Sequence, residues 1–352
     1  MSTVLVNVKH LTEIVVEILV RLGENKKNAL IASDAFVVAD MRGINTHGIF
    51  LLRLIYERVK AKMLHVPSDF EVVSDKMATS VIDGKNGIGQ VIASHGMQMS
   101  ISKAKQWGIG IVAMRNINNI GTLGYYTCLA AEHDMVGILT TNGNPAIAPW
   151  GSTEPFFGTN PISIAFPVEG GPPLFLDMSC SVVARGKIRA SARNGKKIPL
   201  GWAQTKTGEP TTDPEEALQG SLFPIGGPKG SALAMMVDIF AGMLSGSSYG
   251  PQLKTFHQLH GPTGAGATCI AIDINKFMDS QKFAFLLKEY LKSIKNLKKR
   301  DGVSEIFLPG EIELKNEIKS RYEKIILPRK IAADINKILK DVGAKEILRI
   351  EL

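Results

Sequence analysis

The chain changes its pattern twice along its length, and that order limits the folds that it can adopt. Between Leu11 and Leu22 the apolar residues recur at helical spacing, which predicts an amphipathic helix. From about Glu71 to Ile272, short β-rich runs are separated by segments rich in glycine and proline. From about Phe277 onward the sequence is rich in lysine and glutamate and again helical in pattern. This order, in which helices are followed by a sheet-rich middle and then by helices again, differs from the regular strand–helix alternation of a doubly wound fold.

These patterns predict an α+β fold with two parts. We expect a sheet-rich domain over residues 71–284 and a helical domain that both chain ends form, over residues 1–70 and 285–352. The expected helices cover approximately residues 11–22, 27–40, 51–62, 90–107 and 231–244. The expected strands cover approximately residues 80–83, 109–114, 136–141, 162–166, 174–176 and 268–272.

The net charge of +8 at pH 7 raises the question of a nucleic-acid partner. The positive excess is concentrated in C-terminal runs such as residues 295–300, and no aromatic residues interleave with it as stacking platforms for bases would. A solvated helix face explains these lysines better. We therefore expect no nucleic-acid partner.

The apolar residues do not form a membrane span. No segment reaches the ~20 consecutive apolar residues that a span requires, and the uncharged run at residues 137–153 is broken by Pro145 and Pro149. The N-terminal apolar residues are mixed with acidic ones, unlike those of a signal peptide. The three cysteines form no Cys-x-x-Cys pair, which is typical of reduced thiols. We therefore expect a cytoplasmic protein without a membrane anchor.

One histidine stands out as a candidate for proton transfer. In the stretch from Asp40 to Gly48, His47 lies between a hydroxyl residue, Thr46, and a glycine. Histidine is the side chain best suited to move a proton near neutral pH, and glycine beside it lets another backbone or a ligand come close. The tripeptide alone is more typical of an ordinary surface-loop histidine.

Two glycine-containing segments could hold phosphate groups. The segment 87–93 loosely matches the dinucleotide fingerprint Gly-x-Gly-x-x-Gly/Ala, but the next strand ends at Arg115 instead of an acid that would bind a ribose hydroxyl. A tight turn with close helix–strand packing is the better interpretation. Lys229 precedes an apolar helix, where a helix N-terminus and a positive charge make an anion site; the alternative is a capped helix with an exposed lysine.

The remaining motifs exclude several classes of enzyme. His257 and His260 have metal-ligand spacing, but no carboxylate, cysteine or third histidine lies near them in the sequence, so we expect no metal site. The sequence has no Gly-x-Ser-x-Gly, His-Glu-x-x-His or Gly-Lys-Ser/Thr motif, which argues against nucleophilic hydrolysis and P-loop chemistry.

Several stretches, in order, resemble the malate/L-lactate dehydrogenase type 2 family, also called sulfolactate dehydrogenase-like. Ala39 to Gly48 resembles the signature near the start of that family. The other matching stretches are residues 121–126, 144–151, 158–162, 176–178, 183–188, 210–214, 226–230 and 308–311. The resemblance runs from about residue 10 to about residue 320.

The resemblance implies an NAD- or NADP-dependent enzyme that interconverts a small 2-hydroxy acid and its 2-keto acid. The implied fold is not a Rossmann fold: the cofactor would bind a largely antiparallel central sheet, beside a helical domain formed by both chain termini. The family is usually homodimeric, with the active site near the subunit interface. Relatives also act on diketo-sugar acids, ureidoglycolate and cyclic imino acids.

The family's functional residues transfer to particular positions of this chain. His47 matches the histidine that donates a proton to the carbonyl oxygen during hydride transfer. The resemblance assigns cofactor contacts to Asp177, Met178, Ser179, Lys229, Pro309, Gly310 and Glu311. We expect substrate contacts at Thr46, Asn119 and Arg53.

Two departures from the family affect the substrate site. Asn119 stands where many relatives have a second histidine, and asparagine cannot carry a proton at neutral pH. Leu51 stands where relatives often have an arginine suited to a substrate carboxylate, and Arg53 is the nearest replacement. A missing arginine–carboxylate contact removes roughly 1.5–3 kcal/mol of binding free energy. The small 2-keto acids typical of the family are therefore expected to bind weakly.

Three hypotheses follow. The first is a dehydrogenase of a malate-, lactate- or sulfolactate-type acid, with His47 as proton donor. The second is a reductase of a different carbonyl or of a cyclic imine on the same scaffold. The third is a catalytically silent relative that binds the cofactor.

Overall fold

The computed structural model describes residues 3–350, and its strands form three separate sheets. The strands are β1 Thr3–Val6, β2 Glu71–Lys76, β3 Thr79–Asp83, β4 Ile109–Ile117, β5 Met135–Thr141, β6 Ile162–Phe166, β7 Leu174–Met178, β8 Ala203–Gln204, β9 Pro210–Thr211, β10 Ser221–Leu222, β11 Ala265–Asp273 and β12 Ile325–Pro328. The helices are α1 Val8–Arg21, α2 Lys26–Met41, α3 Phe50–Lys60, α4 Gly89–Trp107, α5 Leu123–Ala131, α6 Arg185–Arg193, α7 Pro214–Gln219, α8 Pro228–Asp238, α9 Ser280–Lys295, α10 Glu311–Tyr322 and α11 Arg329–Asp341.

The largest sheet has seven strands in the order β2-β3-β4-β11-β5-β6-β7. It is mixed, because β3 and β4 run parallel while the other neighbouring strands run antiparallel. The expected α+β class is therefore confirmed. Since antiparallel neighbours alternate in direction, β4, β5 and β7 end at the same edge of the sheet, and β6 and β11 begin there. That edge is where the loops between strands and helices converge.

A strand near each end of the described chain contributes to a small sheet of two strands. β1 pairs antiparallel with β12, with Val4 opposite Leu327 and Val6 opposite Ile325. Their buried side chains belong to one apolar core with α1, α2, α3 and α11. The predicted domain boundary after residue 284 falls inside α9, whose Phe283 ring stacks on Phe166 of β6 with 6.4 Å between centroids. The division into two domains stays a prediction.

Most predicted helices and strands lie where the sequence pattern put them, with shifted ends. α1 begins at Val8 because the side chain of Asn7 accepts a hydrogen bond from the backbone N–H of His10. The predicted helix 231–244 is instead α8 followed by a π-helical turn, Ile239–Met243. α5 and α6 were not predicted. No helix within residues 3–350 has the length and apolar character needed to cross a membrane.

Candidate active site

A cavity of about 530 Å³ opens at the edge of the sheet where β4, β5 and β7 end. Three parts of the fold enclose it: that edge, the segment of residues 44–51, which is the loop after α2 together with the start of α3, and one face of α6. Residues from the four segments 44–51, 118–123, 141–146 and 177–179 all contribute to its lining. The cavity therefore brings together stretches that are remote in the sequence.

The carboxyl group of Asp40, which is buried in the last turn of α2, anchors the loop that carries His47. One oxygen of Asp40 accepts a hydrogen bond from the backbone N–H of Ile49 at 2.7 Å, and the other accepts one from Asn45 Nδ2 at 2.8 Å. Burial raises the pKa of Asp40 to about 6, against these hydrogen bonds. A Cβ atom on Gly48 would lie 2.3 Å from Asp40 Oδ2, so only glycine allows this close approach.

The imidazole of His47 is held in one orientation and lines the cavity. Its Nδ1 lies 2.9 Å from the hydroxyl oxygen of Thr46. Burial lowers the pKa of His47 below its ordinary value of 6.5. Within residues 3–350, Nε2 has no hydrogen-bond partner, so this nitrogen is available to a bound molecule. The arrangement suits a proton carrier that is neutral before a ligand binds.

The end of β7 places Asp177, Met178 and Ser179 in the cavity lining, as the resemblance implies for a cofactor contact. Asp177 accepts a hydrogen bond from the backbone N–H of Gly124 at 2.8 Å. Burial raises the pKa of this carboxyl to about 6. Asn119 also lines the cavity, and its Oδ1 accepts a hydrogen bond from the backbone N–H of Gly121 at 2.9 Å.

The lining also has hydrogen-bonding capacity that the protein does not use. The buried side-chain oxygens Asn118 Oδ1 and Thr122 Oγ1 have no hydrogen-bond partner in the described chain. A Cβ atom on Gly143 would meet nothing within 4 Å, so space is open above the end of β5. Buried polar atoms usually have partners. In the described chain, these two oxygens are therefore buried acceptors without a donor, next to the cavity.

Five predicted site residues lie outside the cavity lining. Arg53 forms ion pairs with two acidic residues: its Nη1 lies 2.7 Å from Oε1 of Glu57, and its Nε lies 3.8 Å from Oδ2 of Asp334. Lys229 is exposed in the first turn of α8. The other three, Pro309, Gly310 and Glu311, precede or begin α10.

The loop at the start of α10 nevertheless packs against the strand that ends at the cavity. A Cβ atom on Gly310 would lie 2.6 Å from the ring of Phe175 in β7, two residues before Asp177. Glu311 forms ion pairs with Lys295 and Lys315, which contribute to lowering its pKa to about 2. The functional roles of all five residues stay predictions.

The structure brings four unpredicted basic side chains into the lining: Arg185, Arg189, Arg193 and His257. The three arginines are spaced by four residues on α6, and this spacing, which begins inside the matching stretch 183–188, was a usable sequence signal. His257 was considered only as a metal ligand. Within residues 3–350, no group of three or more potential ligands is arranged to hold a metal ion.

The loop of His257 is held in place by Arg58 of α3, which is fully buried. Arg58 donates hydrogen bonds to the carbonyl oxygens of Gln258 at 2.9 Å and Gly261 at 2.8 Å. Its guanidinium also lies over the ring of Phe256, 5.0 Å from the centroid. Burial, followed by the positive charge of Arg189, lowers the pKa of His257 to about 4. A second, neutral imidazole thus faces the cavity.

Comparison with known proteins shows what this chain is similar to. The family model described as malate/L-lactate dehydrogenase matches residues 6–336. The chain is 38% identical to the L-sulfolactate dehydrogenase of Methanocaldococcus jannaschii, over 94% of this chain and 95% of that protein. It is 35% identical to the malate dehydrogenase of Pyrococcus abyssi, over 94% of this chain and 93% of that protein.

A solved structure extends this similarity to the fold. The crystal structure of malate dehydrogenase from Entamoeba histolytica superposes with a TM-score of 0.94 at 30% sequence identity. The superposition covers 98% of this chain and 99% of that one. The two proteins therefore share the same fold over nearly their whole lengths.

Proposed function

The chain belongs to the malate/L-lactate dehydrogenase family, and from this premise we propose that it interconverts a small 2-hydroxy acid and its 2-keto acid with NAD or NADP. Relatives named as sulfolactate and malate dehydrogenases support the broader class, a hydroxy-acid dehydrogenase. The observation that carries the proposal is His47, whose Nε2 is unpartnered within the described chain and faces the cavity beside the end of β7.

In the direction of reduction, His47 donates its Nε2 proton to the carbonyl oxygen of the keto acid. The protonated imidazole also stabilises the negative charge that develops on that oxygen. In the direction of oxidation, the neutral imidazole accepts the proton of the substrate hydroxyl. Because burial lowers the pKa of His47, the ligand-free enzyme is ready for oxidation, and a nearby substrate anion favours the protonated form needed for reduction.

The residues at the end of β7 would hold the cofactor. Asp177, Met178 and Ser179 line the cavity, and we assign further cofactor contacts to Lys229 and to the loop formed by Pro309, Gly310 and Glu311. The bound nicotinamide supplies the hydride. The chain's own residues orient the reacting carbon, exclude water and move the proton at Nε2 of His47.

We propose that the cofactor lies at this sheet edge and that the glycine pair of residues 87–89 does not bind its phosphates. A Cβ atom on Gly89 would lie only 2.3 Å from the carbonyl oxygen of Asn119. The glycine is thus needed for close packing of α4 on the loop after β4. Phosphate binding is not required to explain it.

The test begins with the cofactor. Purified protein should change the fluorescence of NADH or NADPH on binding, and should consume the reduced cofactor when a 2-keto acid is added. No fluorescence change at millimolar cofactor would refute the proposal. Consumption with cyclic imines alone would favour the second hypothesis, a reductase of another substrate. Binding without turnover on any substrate, and indifference to His47→Ala, would indicate the catalytically silent relative.

We also propose that the protein is a homodimer. α8 and the π-helical turn present a row of exposed apolar side chains, and large exposed apolar patches mark interaction surfaces. These side chains are Met235, Met236, Ile239, Met243 and Leu244. We expect the double substitution Met236→Glu and Met243→Glu to yield a monomer by light scattering, whereas Met77→Glu, at an exposed hairpin methionine, leaves the mass unchanged. A wild-type monomer would contradict the proposal.

A further inference from the structure

One face of α6 turns guanidinium groups toward the cavity. Arg185, Arg189 and Arg193 are spaced by four residues, so they lie above one another on the same helix face, and all three line the cavity. Ile188, about a quarter of a turn around the helix from Arg189, packs into a separate apolar core. The helix is therefore oriented by its apolar side, and its basic side is left to a ligand.

The three arginines differ in what they contact. Arg185 donates hydrogen bonds to the carbonyl oxygens of Leu218 at 2.7 Å and Pro145 at 3.4 Å, which is a structural role. The guanidinium of Arg189 makes no hydrogen bond or ion pair within residues 3–350, although it is half-buried. Burial and the charge of Arg193 both lower the pKa of Arg189. A guanidinium that faces a cavity without an acidic partner is a ready partner for a carboxylate.

The α3 side of the cavity provides no such group. Leu51 is buried and lines the cavity at the position where relatives often have an arginine. Arg53, the nearest replacement, is occupied by Glu57 and Asp334. An acidic substrate in this cavity therefore has to find its positive partner elsewhere.

The position of Arg189 fits this need, because the start of α6 touches the loop of His47. A Cβ atom on Gly186 would lie 3.1 Å from Cγ2 of Thr46. Arg189 follows three residues later, which is about 4.5 Å along the helix axis. Arg189, His47 and His257 all line the same cavity. An acid bound in this cavity thus has both the imidazole of His47 and the guanidinium of Arg189 around it.

We propose that Arg189 is a specificity-determining residue whose guanidinium binds an acidic group of the substrate, in place of the arginine that Leu51 replaces. Arg193, which is exposed, adds positive charge farther along the same face. The inference rests on the proposed function, since it names a contact for the substrate of that reaction. It concerns the substrate's acidic group and leaves the cofactor's phosphates to other residues.

The test compares Arg189→Gln and Arg189→Lys with a matched control, Lys196→Gln, which removes an exposed positive charge just after α6. The probes are oxaloacetate for turnover and oxamate, an unreactive 2-keto acid analogue, for calorimetry. Arg189→Gln should raise the KM for oxaloacetate and the Kd for oxamate about ten- to a hundredfold, with kcat much less affected. Arg189→Lys should recover part of the loss, because it keeps the charge but not the fork of donors. Lys196→Gln should match the wild type.

Three results would overturn the proposal. The first is an unchanged KM and an unchanged oxamate Kd in a folded Arg189→Gln protein. The second is weaker binding of NADPH alone, which would assign the guanidinium to a cofactor phosphate. The third is a wild-type protein that does not bind oxamate. If the wild type binds oxamate through Arg189 but turns over no keto acid, the proposed reaction fails while the anion contact stands.

Discussion

Two neighbouring walls of the cavity are built differently. The segment of residues 44–51 is held by the buried carboxyl group of Asp40, which accepts two hydrogen bonds from it and leaves no room for a Cβ atom on Gly48. The other wall, α6, has one buried side chain, Ile188, and no side-chain cap at its N-terminus. Several contacts fix the position of the first wall, whereas the second wall is held mainly by the burial of Ile188.

The difference matches two separate tasks. Proton transfer requires a donor whose position is set before the substrate arrives, since small misplacements slow the chemical step. Recognition of an acidic group depends on charge and donors, which long arginine side chains can supply from a less constrained helix. We therefore expect substitutions on the loop wall to change turnover, and substitutions on α6 to change affinity.

The largest effect is expected on the loop wall itself. His47→Gln keeps a polar side chain of similar reach but cannot carry the proton, so kcat should fall by about 10²–10⁴-fold. Fluorescence titration should give an unchanged Kd for the reduced cofactor. The matched control is His133→Gln, an exposed histidine outside the cavity lining, which should retain full activity. Turnover that survives His47→Gln would remove the loop from the chemistry.

Gly48→Ala sharpens the same comparison without touching the imidazole. The new Cβ atom would collide with the buried carboxyl of Asp40, so the loop or α2 has to move. We expect a loss of about 1–3 kcal/mol in the free energy of unfolding, measured by urea titration, together with a lower kcat. Gly171→Ala is the control, because its Cβ would meet nothing closer than 3.9 Å. Equal stability of the two variants would mean that the Asp40 contact does not constrain the loop.

The pH dependence of the two directions tests the protonation state of His47. Burial lowers its pKa below 6.5, and oxidation needs the neutral imidazole. The kcat/KM for a 2-hydroxy acid should therefore be flat above pH 6.5 and fall up to about tenfold per pH unit below the lowered pKa. Reduction should show the opposite trend. Because Asp40 and Asp177 also titrate near pH 6, the His47→Gln profile separates their contribution. An oxidation profile that still rises above pH 7 would contradict the assignment.

The smallest effect is expected for His257, the second imidazole of the cavity. Its low pKa keeps it neutral, and its loop comes from outside both walls. His257→Gln should change kcat by no more than about threefold, since glutamine preserves hydrogen bonding. A loss as large as that of His47→Gln would instead mean that His257 replaces the histidine lost at Asn119.

Local patterns predicted the elements whose contacts are local. The apolar spacing of residues 11–22 and the signature around His47 were sufficient to locate α1 and the candidate proton carrier. α6 was missed because it buries only Ile188 and therefore has almost no apolar periodicity to detect. α5 was missed for the opposite reason, since it is apolar on most sides.

The composition of the cavity depends on long-range contacts that the sequence does not display. His257 reaches the cavity because Arg58, far earlier in the chain, is buried and holds its loop. Arg53 was a reasonable substitute for the missing arginine by position, yet its ion pair with Asp334 forms with a helix from the other end of the chain. Such choices between partners depend on the tertiary fold.

The most direct test of the division between the two walls is a single-turnover experiment. Protein loaded with NADH or NADPH is mixed with increasing oxaloacetate, and the loss of nicotinamide absorbance is followed for the wild type, His47→Gln and Arg189→Gln. We predict that His47→Gln lowers the maximal rate constant by at least about a hundredfold, whereas Arg189→Gln mainly raises the half-saturating concentration. The account is contradicted if both variants change the same parameter, or if the loaded wild-type protein loses no absorbance.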